Sequence, residues 1–336
     1  MENFVAETST SSIDDDLLMN STQGNQVVES AYQYFYQRQI LAGLVVLIAI
    51  AGAVGNTGVI VAFILSKKLQ TTTNFFVANL AVADLLNCLF MPWQTVATLS
   101  VHGWPIVNAQ WLCVTSAIVS SESLGCSINS LALIAVNRWV VITKSRRTVC
   151  WLYTPRKLAV MVGVSWAIPL PFVLSAISTR VLGYDEYFSS CTIHHKTYGL
   201  TSNIMRSAVF YVIPLSVVVV CYLSIVCFLR TITRRVTGEG NRTIKGNLHK
   251  RQLQVTKNLL NIVLAFVICA TPYFVTVNIG TTPSRKFLPW TGVMLLSNSC
   301  VNPIIYAVIH PDFKKVMKKM IRCQRIQRNS LQLRYT

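Results

Sequence analysis

A chain of 336 residues is long enough for two soluble domains, but only 12% of it is charged and 52% is hydrophobic, against roughly a quarter charged in a soluble domain. So little charge cannot solvate a surface of this size, which excludes a water-soluble fold. The 30 Lys and Arg against 12 Asp and Glu leave three destinations for the basic excess: nucleic acid, an anionic membrane surface, or the inner edge of a membrane protein.

The order of charges along the chain decides for the last, and nucleic acid is not an expected partner. Residues 1–39 form an acidic tail with Glu2, Glu7, Asp14, Asp15, Asp16 and Glu29. Asn20-Ser21-Thr22 is a glycosylation acceptor. The tail has no apolar core of the kind a cleavable signal peptide carries, so the first span is expected to act as its own insertion signal. Residues 40–310 then hold seven predicted membrane helices. A helix needs about 20 apolar residues to cross roughly 30 Å of hydrocarbon. Runs without charge lie between Arg38 and Lys67, Lys157 and Arg180, Arg206 and Arg230, Lys257 and Arg285, and Lys286 and Asp312. Two more stretches carry isolated charges: Phe75 to Leu99 contains Asp84, and Trp111 to Thr143 contains Glu122 and Arg138.

Seven spans put the chain ends on opposite sides. With the N-terminus outside, the basic residues facing out are Arg38, Arg180, Lys196, Arg206, Arg285 and Lys286, which leaves 24 of the 30 at the cytoplasmic face, as the positive-inside rule requires. The third inner loop, about Thr231 to Gln252, reads as short and basic. Residues 311–323 read as an amphipathic helix on the inner leaflet: Phe313, Val316, Met317, Met320 and Ile321 share one face, and Lys314, Lys315, Lys318, Lys319 and Arg322 fill the other. Cys323 is placed for palmitoylation, with a plain free thiol as the alternative. Residues 324–336 form a cytoplasmic tail. Cys88, Cys126, Cys221, Cys227, Cys269 and Cys300 fall in spans and read as small apolar fillers.

The unusual residues of these spans form an ordered series. Asn56 lies on the first, Asn79-Leu80-Ala81-Val82-Ala83-Asp84 on the second, and Asn137-Arg138-Trp139 ends the third. Trp166 is on the fourth, Pro214 and Tyr222 on the fifth, Phe266 and Cys269-Ala270-Thr271-Pro272 on the sixth. Asn302-Pro303-Ile304-Ile305-Tyr306 is on the seventh, followed by His310-Pro311-Asp312-Phe313. The series resembles the rhodopsin-like (class A) G-protein-coupled receptors over roughly residues 40–323, with a weaker likeness to melatonin receptors in Asn137-Arg138-Trp139 and in Tyr184-Asp185 before Ser190-Cys191-Thr192.

The resemblance implies a plasma-membrane receptor that binds an extracellular ligand between its helices and activates a heterotrimeric G protein. It implies a disulfide between Cys113 and Cys191 that pins the second outer loop across the pocket mouth. Arg138, with Asn137, Trp139, Tyr222 and Tyr306, would meet the G protein. Ser127, Asn298, Ser299 and Asn302 would surround Asp84, an ionisable group costly within a membrane unless hydrated or paired. They form either a cage for Na⁺, the one cofactor to consider, or a hydrogen-bond network without an ion. Pro214, Pro272 and Pro303 are implied as the kinks where helices pivot; Ile128, Pro214 and Phe266 resemble the packing trio that couples ligand to that movement, with core packing alone as the other reading of the trio.

Five positions depart from residues found in the family or its subgroups. Asn137 replaces the acid that usually precedes the arginine, and Gln252 stands where the matching acid of the sixth helix is expected, so the restraining ion pair is missing and basal activity is expected to be appreciable. Ala270 replaces a tryptophan two residues before Pro272. Ser120 stands where amine receptors carry an Asp, and Leu296 where visual pigments carry their retinal lysine, so neither a conventional amine nor retinal fits.

Ser120, Phe210, Ala270 and Tyr273 are the candidate pocket residues, while Ala176 and Phe210 replace the Asn and His that would hold melatonin. A neuropeptide attracted by the acidic tail, Asp185 and Glu186 is the alternative ligand. Glu122 faces either the ligand or a neighbouring helix. A transporter is the remote alternative, but no internal repeat supports it. No convergent catalytic set appears either, because His102, His194, His195, His249 and His310 lie at loops or span ends.

Overall fold

A computed structural model describes residues 30–194, 199–236 and 243–322. Asn20, His195, Lys196, Cys323 and the tail 324–336 lie outside the described residues, as does the side chain of Gln252. Among the described residues, seven helices are long and apolar enough to cross a membrane: Phe35–Leu65, Thr72–Leu99, Val107–Thr143, Pro155–Ser178, Leu200–Ile232, Leu260–Ile279 and Ser284–Ile309. They are called here the first to seventh spans. In hydrocarbon a backbone must satisfy its own N–H and C=O groups, so each long apolar run closes into a helix.

Apolar side chains face outward as well as into the core, and the core also encloses polar groups. Leu47, Val54, Val160, Val220 and Ile268 are exposed, while Asn56, Asp84, Ser127, Asn298, Ser299 and Asn302 are buried. The third span packs against the second, fourth and fifth, and the first against the second and seventh. Two glycines permit the latter contacts. A Cβ on Gly52 would lie 2.3 Å from Cys88 Sγ, and one on Gly55 would lie 2.7 Å from Pro303 Cγ.

Three boundaries differ from those that charge alone suggests. The first helix begins at Phe35, inside the stretch assigned to the tail. Arg38 is therefore helical and buried, and its guanidinium donates to Ser100 O at 2.5 Å and to Ser30 Oγ at 3.2 Å and lies over the Tyr32 ring. The fifth span begins at Leu200, so Arg206 lies within it rather than before it. The stretch read as a third inner loop is largely helical, because the helices Ile213–Val236 and Thr243–Ile279 run into it from both sides.

Proline shapes several spans. Pro92, Pro272, Pro289 and Pro303 sit inside helices. The fourth span is two segments, Pro155–Ala167 and Leu170–Ser178, that meet at Ile168 and Pro169. In the fifth, residues Ala208–Val212 form a π-turn just before Pro214. Proline has no N–H for the carbonyl four residues back, and the wider turn is a local answer to that gap.

Between the fourth and fifth spans lies a hairpin, β1 Leu182–Asp185 and β2 Ser190–Ile193, with Tyr184 paired to Cys191. Asp185 is not displayed for a ligand. It is buried, and its Oδ1 accepts from the Phe188 N–H at 2.9 Å.

After the seventh span comes the helix Pro311–Ile321. Its apolar residues do not all face a membrane. Phe313 and Val316 are buried in the bundle core, Met317 and Met320 pack against that core, and Ile321 is exposed. Phe313 sits between Tyr306 and His310, because the short turn at His310 folds the helix back under the seventh span. Lys68 pairs with Asp312 at 2.9 Å on the solvent side.

Candidate functional site

The centre of the bundle holds a carboxylate cage. Asp84 Oδ1 accepts from Ser127 Oγ at 3.0 Å and from Ser299 Oγ at 3.2 Å. Its Oδ2 accepts from Asn302 Nδ2 at 2.9 Å. Asn56 Nδ2 donates to Ser299 O at 2.8 Å, which fixes the seventh span beside the first. Asn87 Nδ2 donates to Ser299 Oγ at 3.2 Å. The second, third and seventh spans thus meet on one carboxylate. Asn298, next to Ser299 in the chain, is buried but makes no side-chain hydrogen bond, and Asn302 Oδ1 and Asn87 Oδ1 also have no partner.

A second polar cluster lies on the other side of the second span. Asn79 Nδ2 donates to Ser130 Oγ at 2.8 Å and Ser165 Oγ at 3.2 Å, and Asn79 Oδ1 accepts from Trp166 Nε1 at 3.1 Å. These bonds explain Asn79 and Trp166 as ties among the second, third and fourth spans.

At the basic end of the bundle, Asn137 is fully buried. It turns to the second span: Oδ1 accepts from Thr73 Oγ1, and Nδ2 donates to Thr72 Oγ1 at 3.4 Å. The neighbouring Arg138 has a buried Nε without a hydrogen-bond partner. Tyr222 and Tyr306, both buried, lie within electrostatic reach of it. Tyr306 Oη and His310 Nδ1 are likewise buried without a partner. Burial pushes the His310 imidazole down to about 4; the charge of Arg138 acts the same way, and Asp312 opposes it. Trp139 is half-buried and turned to a cation–π contact with Lys144.

At the hairpin end a cavity opens among the third, fourth, fifth and sixth spans, roofed by Leu182 and Ile193 of the hairpin. Phe210 and Tyr273, expected in a pocket, both line it. Ala270 does not, being fully buried in the core, and neither does Ser120, whose Oγ is buried without a partner. Glu122 is also absent from its wall, with both carboxylate oxygens buried and unbonded. Gly125 permits the close approach behind it, since a Cβ there would come 2.6 Å from both Phe210 and Pro169.

The hairpin is held over this cavity twice. Cys113 and Cys191 form a disulfide. Gln94 of the second span accepts from Cys191 N at 3.0 Å and donates to Cys191 O at 2.8 Å, as a neighbouring strand would.

Cavity and basic end are joined by one packed core that contains Ile128, Phe266, Ala270, Phe274, Tyr222 and Tyr306. Pro214 is buried beside it and Pro272 half-buried. Tyr211 stacks on Phe274 with centroids 4.8 Å apart, packs against Phe266 at 6.1 Å, and shares a 2.5 Å hydrogen bond with Thr271.

The sequence reading overlooked Gln94, Asn203, Arg206 and Tyr211. Arg206 had a visible signal, a charge beside an apolar run. The other three had none, because a single amide or phenol in a span looks the same whether it faces a loop or a helix.

The profile of the 7 transmembrane receptor (rhodopsin family) matches residues 55–306. Somatostatin receptor type 2 of Mus musculus is 25% identical over 90% of this chain and 82% of its own length. Melatonin receptor type 1C of Xenopus laevis is 27% identical over 84% of this chain and 67% of its own. Squid rhodopsin superposes with a TM-score of 0.73 at 18% identity, covering 88% of this chain and 89% of that one, a likeness of fold. The chain belongs to the rhodopsin family of seven-transmembrane receptors.

Proposed function

We propose that this receptor binds its ligand in the hairpin-end cavity and passes the signal through the core to a heterotrimeric G protein at Arg138. As a member of its family it is a G-protein-coupled receptor in a membrane, and not an enzyme. The reading goes further in placing it at the plasma membrane with its N-terminus and hairpin outside; the surplus of Lys and Arg at the other end supports that. The observation that carries the coupling site is the trio of buried, unbonded polar atoms at the basic end: Arg138 Nε, Tyr306 Oη and His310 Nδ1. Such groups are costly unless something hydrogen-bonds to them, and a docked protein segment would supply acceptors. The test is Arg138→Ala in cells: G-protein activation falls at least about ten-fold with surface display unchanged. Undiminished activation would remove Arg138 from the coupling role. Epitope tags on the two ends check the orientation.

Asp84 and its neighbours suit Na⁺. The unbonded oxygens of Asn302, which touches the carboxylate, of Asn87, which touches Ser299, and of the buried Asn298 are hard donors of the kind such a cation takes. Asp84, Ser127, Asn298, Ser299 and Asn302 would hold it, and its charge would stabilise the carboxylate. The second reading is a network without an ion, favoured by the three donors Asp84 already has.

The ligand is neither a conventional amine nor retinal, since Ser120 and Leu296 lack the groups those require. A peptide is the alternative, favoured by relatives named as somatostatin and QRFP-like peptide receptors.

In a glycosylated, lipid-anchored form of the protein, Asn20 would carry the glycan and Cys323 the acyl chain. Exposed Lys314 and Lys315 on the surface helix would meet anionic lipid.

A further inference from the structure

A cationic side chain on the wall of a largely apolar cavity is a candidate ligand contact. Arg206 lies in the fifth span, Leu200–Ile232, and lines the hairpin-end cavity. Among the described residues of that wall it is the one formal charge; Leu124, Phe172, Phe210, Phe274 and Val277 make most of the rest apolar.

The guanidinium is positioned by its surroundings. Its Nη2 donates to Asn203 Oδ1 at 2.6 Å and its Nε to Ser202 O at 3.4 Å. Asn203 is buried, and its own Nδ2 donates to Val277 O of the sixth span at 3.3 Å. One turn on, Ser207 Oγ accepts from Asn278 Nδ2 at 2.6 Å. Arg206 thus stands on a polar seam that joins the fifth and sixth spans, where Asn203 and Ser207 share the cavity wall with it and the opposite side is mostly apolar.

We propose that the cavity selects a small organic anion: a carboxylate on an aliphatic or aromatic body. The carboxylate pairs with the Arg206 guanidinium in a charge-assisted contact. The body lies along Leu124, Phe172 and Phe210. This deepens the ligand reading above and rests on the cavity being the binding site. An amine is disfavoured by like charge against Arg206. The seam gives the anion a lever, because whatever draws on Arg206 draws on Asn203 and through it on the sixth span.

The test uses the full-length receptor in lipid nanodiscs. The probes are linear carboxylates from hexanoate to palmitate and a set of arylacetates, each against the alcohol and the amine of the same skeleton. Thermal stability reads binding, and G-protein activation is read separately. At least one carboxylate is expected to raise the melting temperature in a saturable way, with its alcohol and amine at least about ten-fold weaker. Arg206→Gln abolishes that preference, and Arg206→Lys keeps part of it. Equal effects of carboxylate and alcohol, a preference that survives Arg206→Gln, or no response to any carboxylate would overturn the inference. The comparison among probes on the unaltered receptor stands even if the Gln variant folds poorly. Arg206-dependent carboxylate binding without G-protein activation would leave this inference standing and sink the coupling reading instead. Activation by a peptide alone, unchanged in Arg206→Gln, would do the reverse.

Discussion

Asn137 takes its hydrogen bond from Thr73 of the second span rather than restraining Arg138, its neighbour in sequence. The third span is anchored there by a neutral contact, and the arginine beside it keeps a buried, unbonded Nε. An aspartate at this position would set a carboxylate beside that cation. We expect Asn137→Asp to lower agonist-free signalling several-fold, as a bias of ~1 kcal/mol between two states would. Accumulation of second messenger in cells, against an empty vector, measures it. A signal no higher than the vector's in the unaltered receptor would refute the weak restraint.

Asp84→Asn removes the charge on which the second, third and seventh spans converge while keeping the size of the side chain. With Na⁺ in the cage, agonist affinity of the unaltered receptor drops when Na⁺ replaces a large organic cation in the buffer, and the variant shows no such drop. Equal affinities in both buffers before any mutation would leave only the ion-free network.

The hairpin is tied by a covalent bond and an amide. Loss of the disulfide in Cys113→Ser should destabilise the receptor by about 2–4 kcal/mol and lower its surface display sharply. Gln94→Leu removes two hydrogen bonds to the Cys191 backbone and leaves its polar groups unpaired. It should cost ~1–3 kcal/mol, visible as a lower melting temperature in detergent with the disulfide intact by mass.

Gly52 lies where a Cβ would overlap Cys88 Sγ and press on Ser299 O. Gly52→Val should therefore cost roughly 1–3 kcal/mol through overpacking, and pairing it with Cys88→Ala should restore part of the loss. A melting temperature unmoved by Gly52→Val would mean that the first span can shift without disturbing the Asp84 cage.

His310 is held below its ordinary 6.5, at about 4, so the packed state keeps it neutral while a loosened state takes up a proton. The packed state then loses stability as pH falls from about 6.5 towards 4 and is unaffected above that window. Thermal unfolding across that range should show the decline, and His310→Gln should flatten it. A variant as acid-sensitive as the parent would place the effect elsewhere.

Much of this architecture could be read before any coordinates. A charge-free run has one structure available to it in lipid, so all seven spans were visible, and Asp84, Ser127, Ser299 and Asn302 meet as family spacing implies. A charge marks the edge of a span poorly, because Arg38 and Arg206 are absorbed into helices where Ser100 and Asn203 lie within reach of their long side chains. The surface helix was read from its own stripe, yet whether Phe313 meets lipid or Tyr306 depends on the turn at His310, which no periodicity encodes. Position alone puts Ala270 in a pocket, but a methyl group is too short to reach one when its backbone lies in the core.

The five residues of the π-turn before Pro214 determine more than a local irregularity. An α-helix advances about 100° of azimuth per residue, so one surplus residue in the winding re-aims every side chain between Leu200 and Ser207 by about that angle. The direction in which Arg206 leaves the helix is thus stored in a fault of winding, and its bonds to Asn203 and Ser202 then hold the guanidinium there. Excision of a single residue from that turn would swing the guanidinium off the chamber wall while the lower half of the helix kept its orientation.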